Sequence, residues 1–211
     1  LLCIIVDKAL SAEGILINAM QSIETTFNLR LWTVDEYHRM AKTGILDSSE
    51  RVELLEGKII WMSAKGTAHS SAVGRIDKLL QKRLENRAWV SVQDPITLSN
   101  NSEPEPDIAI VKVDPLDYAD HHPTPEEVYL IIEVADSSLK FDCDTKGKAY
   151  AKAGIADYWV LDVIDRELYV YRQPTPEGYK SKTVLSEDKT ISPLTFPDLV
   201  VSVCDMLPPT Y

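Results

Sequence analysis

Cysteine is scarce in this 211-residue chain: Cys3, Cys143 and Cys204 stand far apart without a CxxC pair. Three thiols cannot build a four-cysteine zinc site, and an odd, scattered set fits a reducing compartment, so the cytoplasm is the expected location. Positive charge is also in deficit, with 22 Lys and Arg against 33 Asp and Glu and a formal net charge of −11. That balance argues against a protein that merely coats nucleic acid, because phosphate binding rests on Lys and Arg. Long apolar runs are missing as well. The opening "LLCIIVDKALSAEGILINAM" is broken by Asp7, Lys8 and Glu13, short of the ~20 apolar residues a bilayer span requires. No basic stretch precedes it as a secretory signal would need, and the first methionine is Met20. Residues 1–28 are therefore set apart as an N-terminal extension that carries no functional signal. There is no internal repeat and no low-complexity tract.

What remains is an ordinary globular composition, 45% apolar and 26% charged, in a length that suits one domain. "WTVDEYHRMAKTG" carries Thr33 and Glu36 at capping-box spacing and Gly44 as a stop, which predicts a short helix. "ERVELLEGKIIWMS" reads as two extended pieces turning at Glu56-Gly57. From Ala68 to Asn86, apolar residues recur at three- and four-residue spacing, with Arg75, Lys78, Lys82 and Arg83 between them, which predicts an amphipathic helix with a basic side. "WVSVQDPITL" and "DIAIVKV" read as strands, and "VYLIIEVA" as a central strand covered on both faces. A helix over "DCDTKGKAYAKAG", ended by Gly154, and a strand at "ADYWVLDV" complete a strand-helix-strand crossover with parallel pairing. "RELYVYRQ" and "YKSKTVL" add antiparallel strands. The expected fold is a mixed α/β single domain.

Three acids sit in or beside apolar extended segments: Glu53, Asp107 and Glu133. A strand end often carries a solvated acid, and each residue taken singly has that bland explanation. Glu133 is harder to dismiss, because "LII" precedes it and "VA" follows it, and a buried carboxylate costs several kcal/mol unless a positive partner meets it. Acids converging from neighbouring strands would make the oxygen-rich cage that Mg²⁺ prefers. After the strand, Lys140, Lys146, Lys148 and Lys152 surround a helix start. Lys146, Tyr150 and Gly154 share one helical face, which would aim Lys146 along the sheet edge.

This ordered set of motifs resembles the PD-(D/E)XK nuclease superfamily and, more closely, its Uma-type restriction-endonuclease-like branch, grouped as a domain of unknown function. The resemblance runs from about Leu29 to the C-terminal region and rests on "LWTVDEYHRMAKTGIL", "ERVELLEGKIIWMS", His69, "SEPEPDIAIV", "LIIEVADSS" and "DTKGKAYAKAGIADYWVLD". It implies a restriction-endonuclease-like domain over residues 29–211, with helices flanking a mixed central β-sheet. It implies that Asp107 and Glu133 bind Mg²⁺ or Mn²⁺, with the Val134 carbonyl as a further ligand, and that Glu53 is the acid from the early part of the fold. The superfamily lysine normally follows the second acid by two residues, where this chain has Ala135. In this branch the position matches Lys146 on the next helix, with Lys140 and Lys148 as rivals. His69 matches a family position and is a candidate to orient water or phosphate, against the ordinary alternative of a surface or capping histidine. Asp142 and Ser137 are candidates to orient Lys146, or simply helix-entrance caps. His121 and His122, near Asp117 and Asp120 in a Pro-rich loop, show no regular zinc-ligand spacing.

The expected activity is metal-dependent hydrolysis of phosphodiester bonds, with DNA as partner and a homodimer as the working form. The acidity is local: residues 103–127 hold eight acids against Lys112 alone, whereas the helix with Arg75, Lys78, Lys82, Arg83 and Arg87 is basic and would line a groove between subunits. Two alternatives stay open. One is a nuclease-like fold that no longer cuts and serves in binding or assembly. The other is a different metal-dependent hydrolase or a metal-free carboxylate pair acting on a small molecule.

Overall fold

The computed structural model describes residues 29–47 and 49–210, and the fold below is that of the unit Trp32–Tyr211. The expectation for residues 1–28 lies outside the described residues. A short helix α1 (Val34–Lys42) opens on Thr33, whose hydroxyl accepts from the Glu36 N–H while the Glu36 carboxylate accepts from the Thr33 N–H. Both halves of the predicted capping box are present. Strands β1 (Val52–Leu55) and β2 (Lys58–Trp61) pair antiparallel, and Glu56 and Gly57 both take positive φ (48° and 77°) as a two-residue hairpin turn demands.

Helix α2 (Thr67–Leu84) precedes a six-stranded mixed sheet in the order β3 (Trp89–Val92), β4 (Ile108–Val111), β5 (Val128–Ala135), β6 (Asp157–Asp162), β7 (Glu167–Thr175) and β8 (Gly178–Ser186). Every neighbouring pair is antiparallel except β5 and β6, the parallel pair predicted from the crossover. That crossover holds a π-helical turn, Phe141–Lys146, continuing into α3 (Gly147–Lys152). A small pair, β9 (Thr190–Ile191) with β10 (Val201–Ser202), and α4 (Val203–Met206) close the chain.

The period-2 alternation of a strand divides the sheet's residues between two cores. Ile108, Ile110, Ile132, Val134, Trp159 and Leu161 pack with Ala72, Ile76 and Leu80 of α2 and with Val203 and Met206 of α4. Ala109, Val111, Ile131, Ala135, Tyr158 and Val160 pack on the other face with Ala149 and Tyr150 of α3. The strand predicted for "WVSVQDPITL" ends at Val92, because Gln93 takes φ 56° and Pro95 cannot donate to a ladder. Arg75, Arg83 and Arg87 of the basic side bond to the Asp205 carbonyl, the Val200 carbonyl and the Asp198 carboxylate. Much of that predicted groove-lining charge is thus turned toward the chain's own C-terminal segment, while Lys78 and Lys82 remain exposed. Among the described residues no helix is long and apolar enough to cross a membrane.

Candidate active site

The β4–β5 register pairs Ile108 with Ile132, so continuing it one residue sets Asp107 opposite Glu133. Asp107 shares parity with Ala109, and Glu133 with Ile131 and Ala135, so both acids stand on the face covered by the π-turn and α3. The geometry agrees, with the Asp107 N–H 3.4 Å from Glu133 Oε2 and the Val134 N–H donating to Asp107 Oδ2 at 2.9 Å. Two strands meeting edge to edge therefore deliver two carboxylates to one place.

Lys146 completes the arrangement. Its Nζ lies 3.0 Å from Glu133 Oε1 and 3.1 Å from Glu53 Oε2, and it is the one buried member of the trio Lys140, Lys146 and Lys148. The Tyr150 hydroxyl, four residues on, donates to the same Glu133 oxygen at 2.8 Å. The shared helical face was legible from spacing. The π-turn just before it was not. Phe141–Lys146 winds wider than an α-helix, with the Gly147 N–H reaching back to the Asp142 carbonyl, and π-turns of this kind recur at functional sites. Asp142 is buried beside Lys146 and accepts from the Ser138 hydroxyl at 2.6 Å, so Ser138 rather than Ser137 is its partner.

His69, near the start of α2, is buried and places Nε2 3.0 Å from Asp107 Oδ2. With the carboxylate as acceptor, Nε2 donates, and Nδ1 is the one buried side-chain polar atom without a partner among the described residues. The Gln93 side-chain amide donates to Asp107 Oδ1 at 2.9 Å. The strand-ending residue is thus a ligand of the acid, a role that no feature of the sequence announced.

Three buried carboxylates, Glu53, Glu133 and Asp142, face one buried ammonium, and a fourth, Asp107, stands beside Glu133. Burial would raise the Asp107 carboxyl, but hydrogen bonds from His69, Val134 and Gln93, together with the His69 charge, hold it below the usual carboxylate range. Burial pushes Glu133 up to about 8 and Asp142 up to about 6, since one lysine cannot compensate every neighbouring acid. Burial opposes the Lys146 charge, yet Glu133, Glu53 and Asp142 overcome it and keep the ammonium protonated. These groups line a cleft of about 300 Å³ whose rim carries Arg51, Trp61 and Lys65.

An all-oxygen donor set with excess negative charge suits a hard divalent cation such as Mg²⁺ or Mn²⁺. Asp107 and the Glu133 Oε2 atom keep acceptor capacity beyond their present hydrogen bonds. A different group, His38, Glu103 and His122, brings three ligand atoms within 4.8 Å of one another and could also hold a metal.

The Glu133 shift has a measurable consequence. Its carboxyl titrates near 4.5 when exposed and is raised in the fold, so its contribution to stability is present below about 4.5 and is lost as pH rises through about 8. The melting temperature without divalent ions is expected to fall over that window, and Mg²⁺ or Mn²⁺ to raise it more at pH 8 than at pH 6. A melting profile in which Glu133→Gln behaves as the unaltered chain does would refute the assignment.

Comparison with known proteins agrees with this architecture. The family described as "Uma2: Putative restriction endonuclease" matches residues 34–204. A crystal structure described as "a putative nuclease belonging to DUF820", from Anabaena variabilis, superposes with a TM-score of 0.64 at 18% identity, covering 82% of this chain and 96% of that one. At that identity the likeness establishes the fold. A search of curated proteins returns no match.

Proposed function

The chain belongs to the Uma2 family, and from that premise we propose that its cleft hydrolyses phosphodiester bonds, in DNA, with Mg²⁺ or Mn²⁺ held by Asp107 and Glu133. The observation that carries this reading is the convergence of those two acids from adjacent strands on one sheet face, with the Lys146 ammonium 3.0 Å from Glu133. When bound, the ion polarises the phosphate and lowers the pKa of water.

The chain's own residues divide the remaining work. Asp107 stays ionised and fixed in orientation because His69, Gln93 and the Val134 N–H each donate to it. Lys146 is held against Glu53 and Glu133, where its Nζ–H groups can stabilise charge developing on the phosphate oxygens. Glu53 pins the ammonium and also accepts from the Glu105 N–H, which ties β1 to the segment that delivers Asp107. The exposed Arg51 and Lys65 at the rim supply local positive charge for a chain that is acidic overall, and the 69% exposed Trp61 offers a flat face to a base. A homodimer belongs to the reading, because cutting both strands calls for two such clefts.

One observation favours a second reading, a nuclease-like module that binds or assembles without cutting. Glu133 Oε1 is engaged by both Lys146 and Tyr150, and both Asp107 oxygens already accept hydrogen bonds, so the acids are largely satisfied from within. Supercoiled plasmid incubated with purified protein separates the two. Cleavage that needs Mg²⁺ or Mn²⁺, stops with a chelator and disappears in Asp107→Ala supports hydrolysis. Intact plasmid, or equal cleavage by the Asp107→Ala protein, removes it.

A further inference from the structure

The stretch "SEPEPD" alternates three acids along one extended segment: Asp107 enters the cleft, Glu105 donates its N–H to Glu53, and Glu103 goes elsewhere. Glu103 is only 2% exposed. Its backbone is tied to the early hairpin by an N–H bond to the Leu54 carbonyl at 2.7 Å. Its carboxylate is fixed at both oxygens, with Oε2 accepting from the Thr97 hydroxyl at 2.8 Å and Oε1 lying 2.5 Å from His38 Nε2. His38 comes from α1, and its ring centroid is 6.4 Å from that of His122, in the Pro- and acid-rich loop. A backbone bond from Thr97 to the Pro123 carbonyl, 3.0 Å, brings that loop to the carboxylate's own supporting residue. The neighbouring His121 is occupied otherwise, by Asp120 at 2.6 Å and Glu127 at 3.5 Å.

We propose that His38, Glu103 and His122 form a second metal site, separate from the acidic cleft, which takes a zinc-class ion and staples α1, the hairpin-bound Glu103 segment and the His122 loop together. Two imidazoles and one carboxylate are the donor set that Zn²⁺ and its neighbours take in preference to Mg²⁺. The ligand atoms already lie within 4.8 Å of one another. Ligands about 2.1 Å from a tetrahedral zinc stand roughly 3.4 Å apart, so His38 and Glu103 open by about an ångström while His122 moves in. A buried carboxylate gains a fixed counter-charge, and the Thr97 hydroxyl keeps it oriented as partners behind a metal ligand do. Three protein ligands leave a fourth position for water. Glu103 lies four residues before Asp107, at most about 14 Å along an extended chain, so the ion anchors one end of the segment whose other end enters the cleft.

The test uses the full chain stripped of metal and then held in excess Mg²⁺ to saturate the acidic cleft. Calorimetric titration with Zn²⁺ is expected to show one equivalent bound, Co²⁺ in its place to give the visible absorption of a nitrogen- and oxygen-ligated tetrahedral ion, and Zn²⁺ to raise the melting temperature. His38→Ala and His122→Ala, both at partly exposed positions, should fold by circular dichroism and each lose at least about a hundredfold in affinity, beyond what the loss of an outer partner costs. Asp107→Asn should bind Zn²⁺ as the unaltered chain does, so this site stands or falls independently of the hydrolytic reading. Absence of Zn²⁺ binding, binding that survives both histidine substitutions, or binding lost in Asp107→Asn would overturn the proposal.

Discussion

Glu133→Gln is expected to lower metal-dependent cleavage by about a thousandfold while leaving the protein folded and, near pH 8, more stable than before. Glutamine keeps an oxygen where Lys146 and the Tyr150 hydroxyl donate, so neither buried donor is orphaned. It removes the charge that burial penalises, and Lys146 retains Glu53 at 3.1 Å as counter-ion. What it cannot supply is a negative oxygen for a divalent ion. Plasmid cleavage and thermal melting on the same preparation check both halves. Full activity in the variant would eliminate Glu133 as a metal ligand, and a large loss of stability would mean that the ionised carboxylate holds the fold together.

The converse substitution has the opposite thermal effect. Lys146→Met removes the only buried ammonium among Glu53, Glu133 and Asp142 and leaves carboxylates facing one another out of water. Breaking a buried ion pair from one side costs about 3–5 kcal/mol, which for a domain of this size lowers the melting temperature by on the order of 10 °C. The cost should shrink toward pH 5, where Glu133 and Asp142, raised by burial to about 8 and about 6, take up protons. Combining Lys146→Met with Glu133→Gln is expected to recover much of the stability and none of the cleavage, a coupling that a double-mutant cycle measures directly. If the two stability effects simply add, the pair is not the unit described above.

Much of this was written in local pattern. Thr33 and Glu36 announce a capping box, Glu56-Gly57 a tight turn, and the alternation of "DIAIV" and "LIIEVA" puts Asp107 and Glu133 on one face once the two strands pair in register. Four-residue spacing likewise places Lys146 and Tyr150 side by side, and both meet Glu133. What local pattern could not contain is whatever depends on long-range encounter. His69 reaches Asp107 across 38 residues, and His38 reaches Glu103 across 65, at no spacing that periodicity would flag. Gln93 becomes a ligand of Asp107 only because its own strand stops one residue earlier, at a positive φ that single-residue propensity does not foresee. The basic side of α2 was legible as charge, but its engagement with residues 198–205 was not, because that contact joins segments 111 to 130 residues apart.

The widened turn at Phe141–Lys146 makes segment length a functional variable in its own right. Each residue of a regular helix advances the chain by about 100°. Excising one residue between Asp142 and Lys146 would let the turn relax into ordinary helix and swing Asp142 and Ser138 about a quarter-revolution away from the ammonium, with no charged side chain altered. A deletion at Thr145 would therefore disarm the cleft by changing azimuth instead of chemistry, and a compensating insertion nearby would re-aim it.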